Sequence, residues 1–302
     1  TQRANGIMGL APSDSGGNGH RQTILHDLFK DRDHVNASVF SLCLATWGGR
    51  LTIGGYEQEY HHVRGDGGIQ WIPMNPSHYY YVSPTALTLG DMVVGVAFGT
   101  TIVDSGTTFT SLPGPVFRNL VNSLNTYCSL HAGCGAKKED DKCWRMDSLL
   151  SGPMNFPTLK LYFGTGVAID WPPHAYLHQS SEPGVWCRGF EEGGFLATVL
   201  GISWMIHKDV IFDLDEKRLG IAEAFCPEHG RPTDLLEKAS INTRVEPDLK
   251  PTSRRPDVAV SMVLPLFLVG AASMRLAWRC IRPTRTTGML LTDSQEFEPL
   301  PM

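Results

Sequence analysis

The sequence predicts a mainly β domain followed by one membrane-spanning helix. Three observations carry this. Short runs rich in β-branched and aromatic residues, bounded by glycine and proline, recur from Val39 to Ala222. Six of the seven cysteines (Cys43, Cys128, Cys134, Cys143, Cys187 and Cys226) precede the one long apolar run, and only Cys280 follows it. That run, Val258 to Met274, carries no charge. An even set of cysteines on one side of a membrane fits disulfides in an oxidising lumen. The 302 residues allow one large or two modest domains, ample for a core. A net charge of −5 without a basic bias gives no support to nucleic acid as a partner.

Taken in order, Gln22 to Phe29 carries Ile24, Leu25, Leu28 and Phe29 at helical spacing and reads as a short surface helix. Asn36-Ala37-Ser38 is a glycosylation sequon, meaningful where that segment is lumenal and exposed. Val39 to Leu44 alternates as a strand, Trp47 to Arg50 turns, and Leu51 to Gly55 gives the next strand. Ile69 to Met74 and Tyr79 to Val82 are β-rich; the three tyrosines read as strand packing rather than a ligand box. Leu87 to Gly90 and Val93 to Ala97 follow in the same style. Val116, Leu120, Val121 and Leu124 share one helical face, and Lys137 to Lys142 reads as a solvated charged loop. Phe156 to Phe163, Val167 to Leu177, Val185 to Phe190, Ile206 to Phe212 and Arg218 to Ala222 complete the β pattern.

Pro227 to Pro256, rich in proline, charge and small polar residues, reads as a flexible stalk. The apolar run after it reaches the ~17–25 residues of a membrane helix if Arg275 and Arg279 snorkel. Pro265 is tolerable inside such a helix. Arg275, Arg279, Arg282 and Arg285 place the C-terminus in the cytosol, against a weaker cluster at Arg254 and Arg255. Cys280 at that edge is a candidate for palmitoylation and reads equally as an inert thiol.

The stretch that carries chemistry is Thr101-Ile102-Val103-Asp104-Ser105-Gly106-Thr107-Thr108-Phe109. A buried strand delivers Asp104 into a tight loop, where Gly106 lets the backbone turn and hydroxyls at Ser105, Thr107 and Thr108 can bond a carboxylate. A carboxylate at the end of an apolar strand is costly unless hydrogen-bonded or used. Asp14-Ser15-Gly16 supplies an internal contrast: no strand feeds it, so it reads as a loop. A metal site at Cys128, Cys134, Cys143 and His131 lacks the Cys-x-x-Cys pairs of usual zinc sites, so neither metal nor cofactor is expected.

Asn5-Gly6-Ile7-Met8-Gly9-Leu10 is echoed by Thr198-Val199-Leu200-Gly201-Ile202, two apolar residues then glycine then an aliphatic residue. This reads as one internal repeat seen twice, the second copy downstream of Asp104. An equivalent acidic loop is then expected on the order of 90 residues upstream of Gly9, outside this sequence.

The apolar-apolar-Asp-Ser-Gly-Thr signature, the two apolar-glycine strands and the closing stretch Leu200 to Ala222 resemble the pepsin-like aspartic proteases (peptidase family A1) from Asn5 to Cys226. The resemblance implies the acid protease double-psi-type β fold: the end of a first lobe and inter-lobe strands in 1–55 and a C-terminal lobe in 56–226. A stalk at 227–256, a transmembrane helix at 257–279 and a cytosolic tail at 280–302 follow. Among anchored members, both β-secretase-like and plasmepsin V-like enzymes are similar; Tyr79 to Val82 after Gln70-Trp71 looks more like the latter. The resemblance also pairs Cys143 with Cys187 and Cys43 with Cys226, leaving Cys128 and Cys134 to pair locally.

Two carboxylates sharing one proton would activate a water against a peptide carbonyl. By resemblance, Asp104 is one of them, Ser105 and Gly106 hold it, and Thr107 lines the substrate cleft. The partner carboxylate and the covering flap are missing from this sequence, so the fragment alone is expected to be inactive. The implied protein is a single-pass type I membrane endopeptidase of the secretory pathway, in the endoplasmic reticulum or Golgi rather than at the cell surface. Its partners are a peptide or protein substrate and the bilayer. The alternative is an inactive membrane-anchored binding or scaffold protein on the same fold.

Overall fold

The computed structural model describes residues 6–12, 23–63, 65, 68–147, 152–164, 166–194 and 197–228. Asp14-Ser15-Gly16, the stalk, the apolar run and Cys280 lie outside the described residues. Among the described residues no helix is long and apolar enough to cross a membrane.

Helix α1 (Ile24–Lys30) begins where Thr23 Oγ1 accepts the His26 amide at 3.3 Å, and it buries Leu25 and Phe29. Strands β1 (Val39–Ala45), β2 (Gly48–Ile53), β3 (Gln70–Pro73), β4 (Asn75–Pro76) and β5 (Tyr80–Val82) follow. Next come β6 (Pro84–Leu89), β7 (Met92–Gly95), β8 (Thr100–Val103) and β9 (Thr110–Leu112). Helix α2 (Gly114–Leu130) buries Val116, Phe117, Leu120 and Leu124 at helical spacing. The remainder runs β10 (Ala136–Lys138), β11 (Cys143–Met146), β12 (Leu159–Phe163), β13 (Ala168–Trp171) and the one-turn α3 (Pro173–Tyr176). It continues β14 (Leu177–Gln179), β15 (Val185–Arg188), β16 (Phe190–Glu192), β17 (Ala197–Leu200), the one-turn α4 (Ile202–Met205), β18 (Lys208–Asp213) and β19 (Arg218–Glu223).

These strands form four sheets around a shared core. The five-stranded sheet has the order β2-β1-β18-β19-β3 and the six-stranded sheet β16-β9-β17-β8-β5-β4. Phe40 of β1 stacks on Phe212 of β18 at 4.5 Å, and Tyr80 of β5 packs on Phe212 at 4.7 Å, so aromatic contacts join the two. The four-stranded sheets are β13-β12-β6-β7 and β10-β11-β15-β14. In β12, Leu159, Leu161 and Phe163 are buried while Lys160 and Tyr162 are half-buried, the period-2 signature of a sheet with one face on the core. Strand β18 is buried along its whole length because strands flank it on both sides and side chains cover both faces.

Local chemistry alters three sequence expectations. The charged segment Lys137 to Lys142 begins inside β10 and turns back into β11, its turn closed by Asp140 Oδ1 accepting the Lys142 and Cys143 amides at 2.6 and 2.7 Å. The β pattern from Val167 to Leu177 is broken by α3, for which Pro173 presets the first-turn φ. The strand expected from Ile206 starts at Lys208, because Ile206 closes α4 and His207 adopts φ +62°. Disulfides join Cys43 to Cys226, Cys128 to Cys134 and Cys143 to Cys187. The first closes a 183-residue separation, which in a chain-entropy account constrains the unfolded chain by about 5 kcal/mol.

Candidate active site

Asp104 is held by strand order. Strand β17 lies between β8 and β9, the two strands that flank the loop carrying Asp104. It runs parallel to β8, with Leu200 opposite Val103, and meets β9 antiparallel at Val199 and Ser111. The Asp104 amide donates to Leu200 O at 3.1 Å, so the apolar-glycine strand sits directly beneath the acidic loop. Beyond Gly201 the chain grips the far side of the same loop. The Ile202 and Ser203 amides donate to Thr107 O and Thr108 O at 2.8 and 3.0 Å. Ser203 Oγ accepts the Thr110 amide at 2.9 Å and lies 3.0 Å from Thr110 Oγ1. A Cβ at Gly201 would stand 2.6 Å from Thr107 O and 2.7 Å from Phe109 O, so only glycine permits this approach.

The Asp104 carboxylate is half-buried. Oδ1 accepts the Gly106 amide at 2.8 Å, and Oδ2 accepts the Thr107 hydroxyl at 2.6 Å. Two donors fix its orientation. The holding hydroxyl is therefore that of Thr107, which the sequence placed in the cleft, while Ser105 lines the adjoining cavity. Gly106 serves through close approach rather than a left-handed backbone: a Cβ there would lie 3.1 Å from Asp104 Oδ1.

A cavity of about 390 Å³ opens beside the carboxylate. Ser105, Gly106, Phe40, Tyr80, Phe212 and the segment Ile7 to Pro12 line it. The Tyr80 hydroxyl donates to Leu10 O at 2.6 Å, and burial raises its pKa, so it stays a donor. Among the described residues, Asp104 is the only carboxylate lining this cavity. An oriented carboxylate facing such a space can exchange a proton with a bound water or bind a substrate hydroxyl.

Asn36 is exposed in the turn between α1 and β1, where its carbonyl and Ser38 Oγ both accept from Arg32. The three sulfurs of the alternative metal set are in disulfides, and no group of three metal-ligating side chains occurs among the described residues.

Buried ionisable groups that the sequence did not single out lie in and around the five-stranded sheet. His61 Nε2 contacts Asp209 Oδ2 at 2.9 Å with both side chains essentially inaccessible. Burial raises the Asp209 pKa, and hydrogen bonds from His61 and Ser41 offset part of this. Lys208, 2% exposed, donates to Trp204 O at 2.9 Å, and burial pushes its ammonium down to about 8. Burial also lowers His174, His178 and His207, the last to about 4.

Residues 80–223 match the family described as "Xylanase inhibitor C-terminal". The chain is 26% identical over 264 residues to "Aspartic protease 5" of Toxoplasma gondii, covering 75% of this chain and 22% of that protein. It is 21% identical over 329 residues to "Plasmepsin V" of Plasmodium falciparum (isolate 3D7), covering 81% of this chain and 55% of that one. It is also 27% identical over 203 residues to "Beta-secretase" of Strongylocentrotus purpuratus, at 59% and 36% coverage. The chain thus spans from about a fifth to about half the length of these relatives.

Proposed function

We propose that this chain is a distant homologue of the pepsin-like aspartic proteases carrying their C-terminal lobe, and that the complete protein is an aspartic endopeptidase; the similarity to aspartic proteases supports this reading. Asp104 is one of its two catalytic carboxylates. The observation that carries this reading is the Asp104 carboxylate, oriented by Gly106 N–H and Thr107 O–H toward an open cavity. The partner carboxylate comes from a lobe outside the described residues, facing this cavity across Asp104. Two carboxylates about 3 Å apart share one proton and titrate as a unit. The ionised one removes a proton from water as the water attacks the scissile carbonyl. The protonated one donates to the developing oxyanion, and the tetrahedral intermediate collapses to a new acid and amine. Ser105 lines the face that substrate approaches.

The proposed setting is the secretory pathway, with the lobe of residues 56–226 lumenal, residues 257–279 spanning the bilayer and residues 280–302 in the cytosol. The three disulfides support an oxidising compartment. In that setting the proposed substrates are secretory-pathway or exported proteins.

The experiment is peptide hydrolysis by the complete protein and its Asp104→Asn variant. A loss of about 10²–10⁴-fold in kcat, with retained folding, is expected. Full activity in the variant would refute the assignment. The xylanase-inhibitor name of the matched family favours one second reading, an inactive lobe that binds a protein partner. That reading predicts no hydrolysis by either form.

A further inference from the structure

A larger cavity, of about 680 Å³, meets the Asp104 loop at other residues. It shares no lining residue with the cavity beside the carboxylate: Asp104, Ser105 and Gly106 line that one, Thr108 and Phe109 this one. Phe109 leaves the loop and stacks on His178 of β14, with ring centroids 4.9 Å apart. Leu177 and Trp186 line the cavity from the paired strands β14 and β15. Ile202 of α4 and Ile206, which closes that helix, add aliphatic surface. His174 of α3 and His207 contribute two imidazoles whose rings lie 4.8 Å apart.

This lining is apolar and uncharged. Among the described residues it holds no carboxylate, ammonium or guanidinium. Glu182, in the loop that supplies Ser180, Ser181 and Pro183 to the wall, is turned to Arg145 at 2.7 Å instead. Burial lowers the pKa of His174, His178 and His207, the last to about 4, so all three are neutral at pH 7. A charged guest would leave water for walls that offer no counter-charge, which is costly; an uncharged guest avoids that cost. Rings such as Phe109, His178 and Trp186 favour a flat aromatic body. A neutral imidazole presents one donor and one acceptor nitrogen. Among the described residues no hydrogen bond engages the His174 or His207 ring.

We propose that this cavity binds an uncharged aromatic molecule bearing a hydroxyl, its ring against Phe109, Trp186 and Ile202 and its hydroxyl on His174 and His207. Mostly apolar clefts of this size with a few convergent polar groups are the usual form of small-molecule sites. The site touches the brace of the acidic loop. Ile202 and Ser203 line it, and their amides hold Thr107 O and Thr108 O, so an occupant rests on the backbone that fixes the loop.

The test is calorimetric titration of the full chain at pH 7 with three probes of one shape: neutral 2-naphthol, anionic 2-naphthoate and cationic 2-naphthylmethylammonium. 2-Naphthol should bind one per chain, and each charged probe about tenfold or more weakly by comparison. His174→Ala removes an exposed imidazole and should weaken 2-naphthol about threefold or more. Ile206→Trp fills the cavity and should abolish binding. Bound 2-naphthol should slow amide exchange at Ile202 and Ser203. If Ile206→Trp does not fold, Ser180→Trp, at a half-buried position of the wall, carries the same prediction. No binding of 2-naphthol, equal affinity for the three probes, or undiminished binding in a folded cavity-filling variant would overturn the proposal. None of these outcomes depends on peptide hydrolysis, so this site and the Asp104 assignment fail independently.

Discussion

Two aspartates, one in each of the two largest sheets, occupy opposite electrostatic situations. Asp104 ends β8 at a loop, is half-buried, and has one donor on each carboxylate oxygen. Asp209 lies inside β18, is fully buried, and meets His61 through Oδ2, while Oδ1 and His61 Nδ1 lack hydrogen-bond partners among the described residues. The first carboxylate is satisfied locally and faces space; the second is enclosed and depends on a residue 148 positions away. Removing the first should therefore affect chemistry, and removing the second should affect the fold.

The largest expected effect on stability is at the enclosed pair. His61→Ala leaves an uncompensated buried carboxylate, which should cost about 3–5 kcal/mol in denaturant unfolding. A loss below ~1 kcal/mol would remove the distinction. The next effect concerns pH. His207 is held down to about 4 by burial, then by His174 and Lys208. A depressed folded pKa means that its stabilisation is present above the ordinary 6.5 and is lost as pH falls toward about 4. His207→Gln should flatten that acid loss, measured by denaturant unfolding between pH 7 and pH 4. Asp209 has the opposite sign: its raised pKa gives stability at low pH that is lost as pH rises through the folded value. Thermal melts of Asp209→Asn across pH should lack that trend. Gly201→Ala forces a Cβ against Thr107 O and Phe109 O and should cost about 1–3 kcal/mol, displacing the loop from its strand. The smallest effect is that of Asp104→Asn on stability, within about 1 kcal/mol, because the site is half-open and its donors can turn to water.

The same contrast explains what the sequence revealed. Asp104 was legible because everything that defines it is local: a strand, a glycine and hydroxyls within three residues. The strand beneath it was legible through the repeat of two apolar residues and glycine, and Leu200 does receive the Asp104 amide. Asp209 and Lys208 were hidden because both sit in a run read as an apolar strand, and their significance arises from His61, Trp204 and Asp170, which folding brings close. The single-turn helices α3 and α4 are too short to leave a 3.6-residue period. Which of the loop's hydroxyls meets the carboxylate was not legible from residue type: Thr107 Oγ1 donates to Asp104 Oδ2, and Ser105 lines the cavity. The pairings Cys43–Cys226, Cys128–Cys134 and Cys143–Cys187 came from family resemblance, since spacing leaves many connectivities open.

The central claim is that Asp104 works as half of a carboxylate dyad. The pH dependence of kcat/KM for peptide hydrolysis by the complete protein tests it most directly. The account predicts a bell with two apparent pKa values belonging to the pair, and its collapse in Asp104→Asn. A wild-type profile with a single ionisation, or a bell that survives Asp104→Asn, would contradict it.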